Sequence, residues 1–101
     1  MSASMRHEDL SRLQGRSCRL RASEGGGELT AVLAEVGERR ERQGYEHFSL
    51  LFHVQQADAP RQGLYVVAID GEPEREMFLV PVGRDGSQVT YEACFNRRLT
   101  A

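Results

Sequence analysis

The stretch Tyr45-Glu46-His47-Phe48-Ser49-Leu50-Leu51-Phe52-His53-Val54 decides the fold. Its apolar side chains recur at every second position, at Phe48, Leu50, Phe52 and Val54. Polar side chains occupy alternate positions between them, at His47, Ser49 and His53. Successive side chains of a β-strand point to opposite faces, so the pattern predicts a strand with one buried and one solvated face.

The same alternation recurs before and after this stretch. Ser17 to Ala22 has Cys18 and Leu20 on one face, and Leu29 to Val36 predicts a further strand after a glycine loop at 25–27. At the C-terminal end one face collects Val89, Tyr91, Ala93 and Phe95. The turn signal Gly83-Arg84-Asp85-Gly86 precedes this last strand and indicates a hairpin.

Two segments are apolar on both faces, Leu64 to Ile69 and Met77 to Val82. Such segments are typical of central strands, or of strands covered by a helix or by another subunit. The charged segment Glu38 to Gly44 between predicted strands reads as a solvated connection.

The N-terminal segment predicts one short helix, over about 4–14, with Ser4 as N-cap and Gly15 as the residue that ends it. Its apolar side chains are few, so it must dock on an open end or face of the sheet. The chain of 101 residues has the length of one domain. We predict a mainly β fold of about six antiparallel strands in a small barrel or sandwich, over about 16–96, with a basic tail at 97–101.

Composition limits the function classes. Thirteen basic residues, all arginine, face fifteen acidic ones, and the formal charge of −2 argues against nucleic acid as the default partner. Because the chain has no lysine, it cannot use a Schiff-base or phosphate-loop lysine. No apolar segment is long enough for a signal peptide or a membrane span, so we expect a cytoplasmic protein without membrane contact. Cys18 and Cys94 are then expected to be thiols.

Neither catalytic, metal nor cofactor sites are predicted. His47 and His53 share a strand face, but six residues at about 3.3 Å each separate them by roughly 20 Å, too far to share an ion. Cys18 follows the pattern of a core residue, and Cys94 lies on the more polar face of its strand. Phosphate-loop and serine-elbow motifs do not occur.

A binding surface is the better-supported expectation. Strand-face arginines, the charged segment, the two histidines and the basic tail supply candidate interaction residues: Arg19, Arg21, Arg39, Arg40, Arg42, His47, His53, Arg97 and Arg98. Because an open sheet has edges that must be closed, covered or paired, self-association or a protein partner is expected.

Four blocks also carry a family resemblance: Phe48-Ser49-Leu50-Leu51-Phe52, Gln62-Gly63-Leu64-Tyr65, Phe78-Leu79-Val80-Pro81-Val82-Gly83 and Tyr91-Glu92-Ala93-Cys94-Phe95-Asn96. In this order they resemble a family of small bacterial proteins of unknown function, often encoded near phage-tail-collar-like proteins. The resemblance implies an accessory of a tail-like or surface-displayed assembly and no established activity.

Three functions follow as hypotheses. The first is a non-enzymatic, self-associating interaction module of a larger bacterial assembly. The second is a ligand-binding or enzymatic barrel with a pocket lined by Tyr45, His47 and His53, or by Cys94. The third is an oligonucleotide-binding barrel, which would stack bases on aromatic groups beside arginines.

Overall fold

The computed structural model describes residues 6–25, 27–55 and 60–99. Within these ranges the chain forms one short helix and seven strands. Their bounds are α1 His7–Ser11, β1 Ser17–Ala22, β2 Glu28–Val36, β3 Arg40–Arg42, β4 Tyr45–Gln55, β5 Gly63–Ile69, β6 Arg75–Asp85 and β7 Gln88–Arg98.

Six of the strands close into a barrel. Around its wall the order is β1, β2, β4, β7, β6 and β5, and β5 returns to pair with β1. Every pairing is antiparallel. The predicted mainly β fold with one short helix is therefore confirmed, and of the two predicted arrangements the chain adopts the barrel.

The seventh strand corrects one prediction. Arg40–Arg42 was expected to be part of a solvated connection, but it pairs with Tyr45–His47 as β3. Gln43 and Gly44 form the tight turn between them, with φ values of 52° and 81°. A two-residue turn with positive φ at both positions aligns its flanking strands, whatever side chains they carry. The connection therefore becomes a strand although all three of its residues stay exposed.

β2 and β3 lie along the same edge of β4, one after the other. Val36 pairs with Leu50, the Gly37 N–H donates to the Ser49 carbonyl at 2.7 Å, and Arg40 then pairs with His47. A side chain at position 37 would meet the Ser49 carbonyl oxygen at 3.1 Å, so this crossing requires glycine or a local shift. Residues 31–36 and 40–42 thus pair one after the other along this edge of β4.

The barrel interior is filled by apolar side chains. Leu20, Leu33, Leu50, Phe52 and Leu79 have no exposed surface, and no polar or charged residue of the described ranges is classed as buried. Small barrels of this kind are packed cores and not channels. The wall therefore encloses a core.

Helix α1 covers one open end of the barrel, as predicted. Leu10 and Leu13 are 1% and 4% exposed and join the core there. Ser4, the predicted N-cap, lies outside the described residues, and the observed N-cap is Arg6. Gly15 was expected to end the helix, but the C-cap is Arg12. Gly15 has φ of 95° and donates its N–H to Leu33, so it links α1 to the barrel.

β5 and β6 were predicted to be central strands or to be covered, and the structure gives them neighbours on both sides. Their outer faces are nevertheless open, with Leu64 49% and Phe78 51% exposed. β6 also changes neighbours along its length. Its first part pairs with β5 up to Leu79, and from Val80 onward it pairs with β7, with a register shift between Pro81 and Gly83.

We expect Leu79→Ala to lower the free energy of unfolding by about 2–5 kcal/mol, because it opens a cavity in a fully buried layer. Val32→Ala is the matched control, since Val32 is 41% exposed on the outside of β2, and its effect should stay within about 1 kcal/mol. Urea denaturation at one low protein concentration measures both. Equal losses for the two variants would contradict the assignment of inner and outer faces.

Candidate functional site

An ionic layer continues the inner face of the barrel beyond its apolar core. Glu46 lies two residues before Phe48 on that face, and its side chain is only 13% exposed. The Arg39 Nε donates to Glu46 Oε1 at 2.5 Å, and the Arg97 Nε lies 3.1 Å from Glu46 Oε2. The Arg39 hydrogen bond, aided by the charges of both arginines and opposed by burial, lowers the pKa of Glu46.

Aromatic rings form the floor of this layer. Phe48 and Phe95 stack with their centroids 4.9 Å apart and their planes 5° from parallel. The Arg97 guanidinium lies 5.2 Å from the Phe48 centroid and 5.5 Å from that of Phe95. His7 of α1 meets Phe48 edge-on and contacts the Gly37 carbonyl through Nε2 at 2.7 Å. Arg97 is thus held by a carboxylate on one side and by aromatic faces on the other.

Beside the ionic layer lies an open cleft of about 480 Å³, lined by Arg6, His7, Glu8, Arg39, Glu46 and Leu99. Arg39 and Glu46 are already bound to each other, and Arg39 also reaches Glu41 at 2.7 Å. A ligand entering here would have to compete with these pairs. The arrangement therefore suits joining the helix end to the barrel better than it suits chemistry on a ligand.

An apolar surface occupies the outer face of β5 and β6. Leu64 and Phe78 face each other directly across the two strands. Val82, 52% exposed, lies further along β6 at the register shift and has no partner in the β7 register. We call Leu64, Phe78 and Val82 the outer wall.

A second cleft, of about 530 Å³, lies over β3, β4 and β7, and its polar lining residues are Glu38, Arg40, His47, Ser49, Cys94 and Asn96. His47 faces Asn96 and Ser49 faces Cys94 across the β4–β7 ladder. Desolvation, followed by the charge of Glu92, raises the pKa of the Cys94 thiol. A thiol with a raised pKa is protonated near neutral pH and is a weak nucleophile, so this combination does not make an activated cysteine.

The comparison with known families agrees with the predicted resemblance to a family of unknown function. A family model described as a domain of unknown function, DUF6916, matches residues 5–95. The chain belongs to the DUF6916 family. No curated protein and no solved structure matches it. The match takes in α1 and most of the barrel, including the outer wall and Glu46, while Arg97 and Arg98 follow the matched range.

In the DUF6916 domain the predicted interaction residues lie on separate surfaces. Arg19 and Arg21 lie on the outer face of β1, on the far side of the barrel from β7. There Arg19 lies 4.0 Å from Glu28, and Arg21 lies 3.9 Å from Glu74. They therefore do not adjoin the basic tail.

The remaining predicted residues lie on β3, β4 and β7. Arg40 and Arg42 pair in register with His47 and Tyr45, and Tyr45 pairs with Arg98, so these residues share one surface. Arg39 and Arg97 instead meet at Glu46 in the ionic layer. His53 lies toward the other end of β4, between Val32 and Thr90. The sequence did not show that these residues lie at three separate places in the fold.

Tyr45, His47 and His53, the residues of the hypothetical ligand pocket, follow one another along the outside of the DUF6916 barrel and do not converge. Within the described ranges, no three histidine, cysteine or acidic side chains converge as metal ligands would. Among the same residues, no helix combines the length and apolar character that crossing a bilayer requires.

Sequence reasoning missed Glu46, the centre of the ionic layer. Its signal was present, because Glu46 lies two residues before Phe48 and therefore on the inner face of the same strand. A carboxylate on an apolar face needs a partner, and the charged segment and the tail supply one each, Arg39 and Arg97.

We expect Glu46→Gln to lower the free energy of unfolding at pH 7 by about 1 kcal/mol, since both arginines lose an ionised acceptor. The pKa of Glu46 is lowered from its ordinary value of 4.5, so its contribution is complete above that value and is lost as pH falls through the lowered pKa. The difference between wild type and variant should therefore shrink in acid.

Glu38→Gln is the matched control, because the Glu38 side chain is 82% exposed and lies 3.7 Å from Arg40. Its effect should be small at every pH. Urea denaturation at a series of pH values measures all three proteins. A difference between wild type and Glu46→Gln that persists unchanged at pH 3 would contradict the ionic role of Glu46.

The cysteines supply another prediction. Burial raises the pKa of Cys18 to about 11, and Cys18 is 2% exposed, so only Cys94 should react with iodoacetamide at pH 8 in the folded protein. Removing the charge of Glu92 in Glu92→Gln lowers the pKa of Cys94 and should speed its alkylation, by up to about tenfold for one pKa unit.

Mass spectrometry of the alkylated peptides measures the rate at each cysteine. Glu24→Gln, in the loop between β1 and β2, changes the net charge equally and should leave the rate unchanged. If Glu92→Gln also leaves it unchanged, Glu92 does not influence the thiol.

Proposed function

We propose that this DUF6916 domain is a non-enzymatic interaction module that self-associates through the outer wall of β5 and β6. In this proposal it contributes a rigid barrel to a larger bacterial assembly, tail-like or surface-associated. The observation that carries the proposal is the outer wall itself, three large apolar side chains each about half exposed on two adjacent strands.

The closed barrel makes this apolar character difficult to explain within one copy. A strand of a filled barrel needs apolar side chains on its inner face only, which β5 supplies with Tyr65, Val67 and Ile69. α1 lies at the barrel end and leaves Leu64 and Phe78 open. Facing apolar side chains on exposed strands are typical of surfaces that another protein covers.

A second copy is the occupant that the charges around the outer wall favour. Arg21 and Glu76 both face Val66, next to Leu64 on the outer side of β5, and Glu92 faces Val80 beside Phe78. In a two-fold arrangement the same patch meets itself, so a rim carrying both signs can place carboxylates against guanidinium groups. An apolar centre with a polar rim is the usual organisation of an interface.

The filled interior supports an interaction module over a ligand-binding barrel. Because apolar side chains fill the interior, the outside of the wall and the barrel ends are the surfaces available for recognition. The resemblance to proteins encoded near phage-tail-collar-like proteins supports the tail-like setting of the proposal.

We expect the purified protein to be a dimer or larger by light scattering at two concentrations with a reducing agent present. Phe78→Glu should convert it to a monomer, because a charge would be buried at the interface centre. Val32→Glu is the matched control: Val32 is 41% exposed on β2, away from the outer wall, and should keep the wild-type mass.

Circular dichroism establishes that each variant is folded. A wild-type monomer at both concentrations would overturn the proposal. An unchanged mass for folded Phe78→Glu would also overturn it, since the interface would then lie elsewhere.

A further inference from the structure

The last part of β7 pairs on one side only. On the β4 side every residue from Gln88 to Arg98 has a partner. On the β6 side the register ends at Val80 and Glu92, and the earlier residues of β6 pair with β5 alone. Among the described residues, no other strand pairs with residues 93–98 on that side. The barrel wall therefore carries a free edge there, which we call the β7 edge.

The β7 edge offers backbone hydrogen bonds. Along an antiparallel strand, alternate residues direct their N–H and C=O groups to opposite sides. Every second residue of 93–98 thus directs these groups away from β4. Cys94, Asn96 and Arg98 are exposed, so solvent and a partner can reach this part of the strand. An unpaired edge of this kind is a template for one more strand.

Other unpaired edges in the described ranges are less suited to an added strand. Pro81 lies in β6 where that strand leaves β5, and a proline has no N–H to donate. The outer edge of β3 is also unpaired, but this strand has only the three residues Arg40–Arg42. Residues 93–98 contain no proline, and their pairing with β4 is regular. The β7 edge is thus the better surface for an added strand.

The charge around the β7 edge favours an acidic partner. Arg97 and Arg98 end β7. Glu46 neutralises one of these charges through Arg97, while the Arg98 side chain is exposed. The edge itself contains no acidic side chain, since Glu92 precedes it.

We propose that the β7 edge binds an extended, acidic peptide segment of a partner protein as an added β-strand. Main-chain hydrogen bonds to residues 93–98 supply the affinity, and the arginines select acidic side chains. This surface differs from the outer wall, so the proposal stands whether or not self-association occurs there.

The test uses the full-length protein and a fluorescein-labelled peptide of eight alternating valine and glutamate residues. Fluorescence anisotropy measures binding, and amide NMR shifts locate it. A control peptide carries proline at two adjacent central positions, which removes donors on both edges of the peptide strand. A second control replaces its glutamates with arginine. Arg98→Glu tests the charge of the edge, and Arg19→Glu on β1 is the matched protein control.

We expect saturable binding of the acidic peptide with amide shifts concentrated in residues 93–98. Binding of the proline peptide should be several-fold weaker, up to about tenfold, since one of its two prolines removes a donor from the peptide edge that faces β7. The arginine peptide and Arg98→Glu should also bind more weakly, and Arg19→Glu should match wild type.

Several results would overturn the proposal. These are no saturable binding, equal binding of the proline peptide, or amide shifts confined to the outer wall. Amide hydrogen exchange gives an independent check: in the free protein, alternate amides of residues 93–98 should exchange faster than those of 88–92. If all are equally protected in a dimer, a second copy already occupies the edge and the proposal is wrong.

Discussion

The pairing of β4 on both of its edges is the constraint on which the rest of this structure depends. One edge carries β7 along the full length of β4, and the other carries β2 and then β3. This double pairing joins the N-terminal hairpin to the C-terminal hairpin and so closes the sheet. Because side chains alternate strictly along a strand, it also sends Phe48, Leu50 and Phe52 into a common core with Tyr91.

The same alternation explains why the ionic layer and the core belong together. The inner face of β4 does not end at Phe48 but continues to Glu46, where apolar packing gives way to hydrogen-bonded charges. Arg97 reaches that layer because β7 stays in register with β4 to its end. The helix end joins there through His7. The register between β4 and β7 thus determines both which of their side chains enter the core and which charged groups meet in the ionic layer.

Much of the fold was predictable from the sequence, but the grouping of residues on its surfaces was less so. The barrel strands, the two-sided apolar character of β5 and β6 and the docking helix all follow from local patterns, because in–out alternation and turn residues act over a few positions. β3 was not predictable from its side chains, since the turn at Gln43-Gly44 and not burial makes it a strand. The interaction residues were predicted as one class, but separate strands carry them to different sides of the barrel.

The sequence by itself determined which residues face inward along β1, β4 and β7, because their period of two needs no partner to be read. It also determined the chemistry available, including a basic set made of arginine alone. Only the tertiary structure decided that the sheet closes, that Arg39 and Arg97 meet at one carboxylate, and that β7 extends beyond its β6 partner. The physical reason is that strand order and register are relations between distant segments, and local patterns do not encode them.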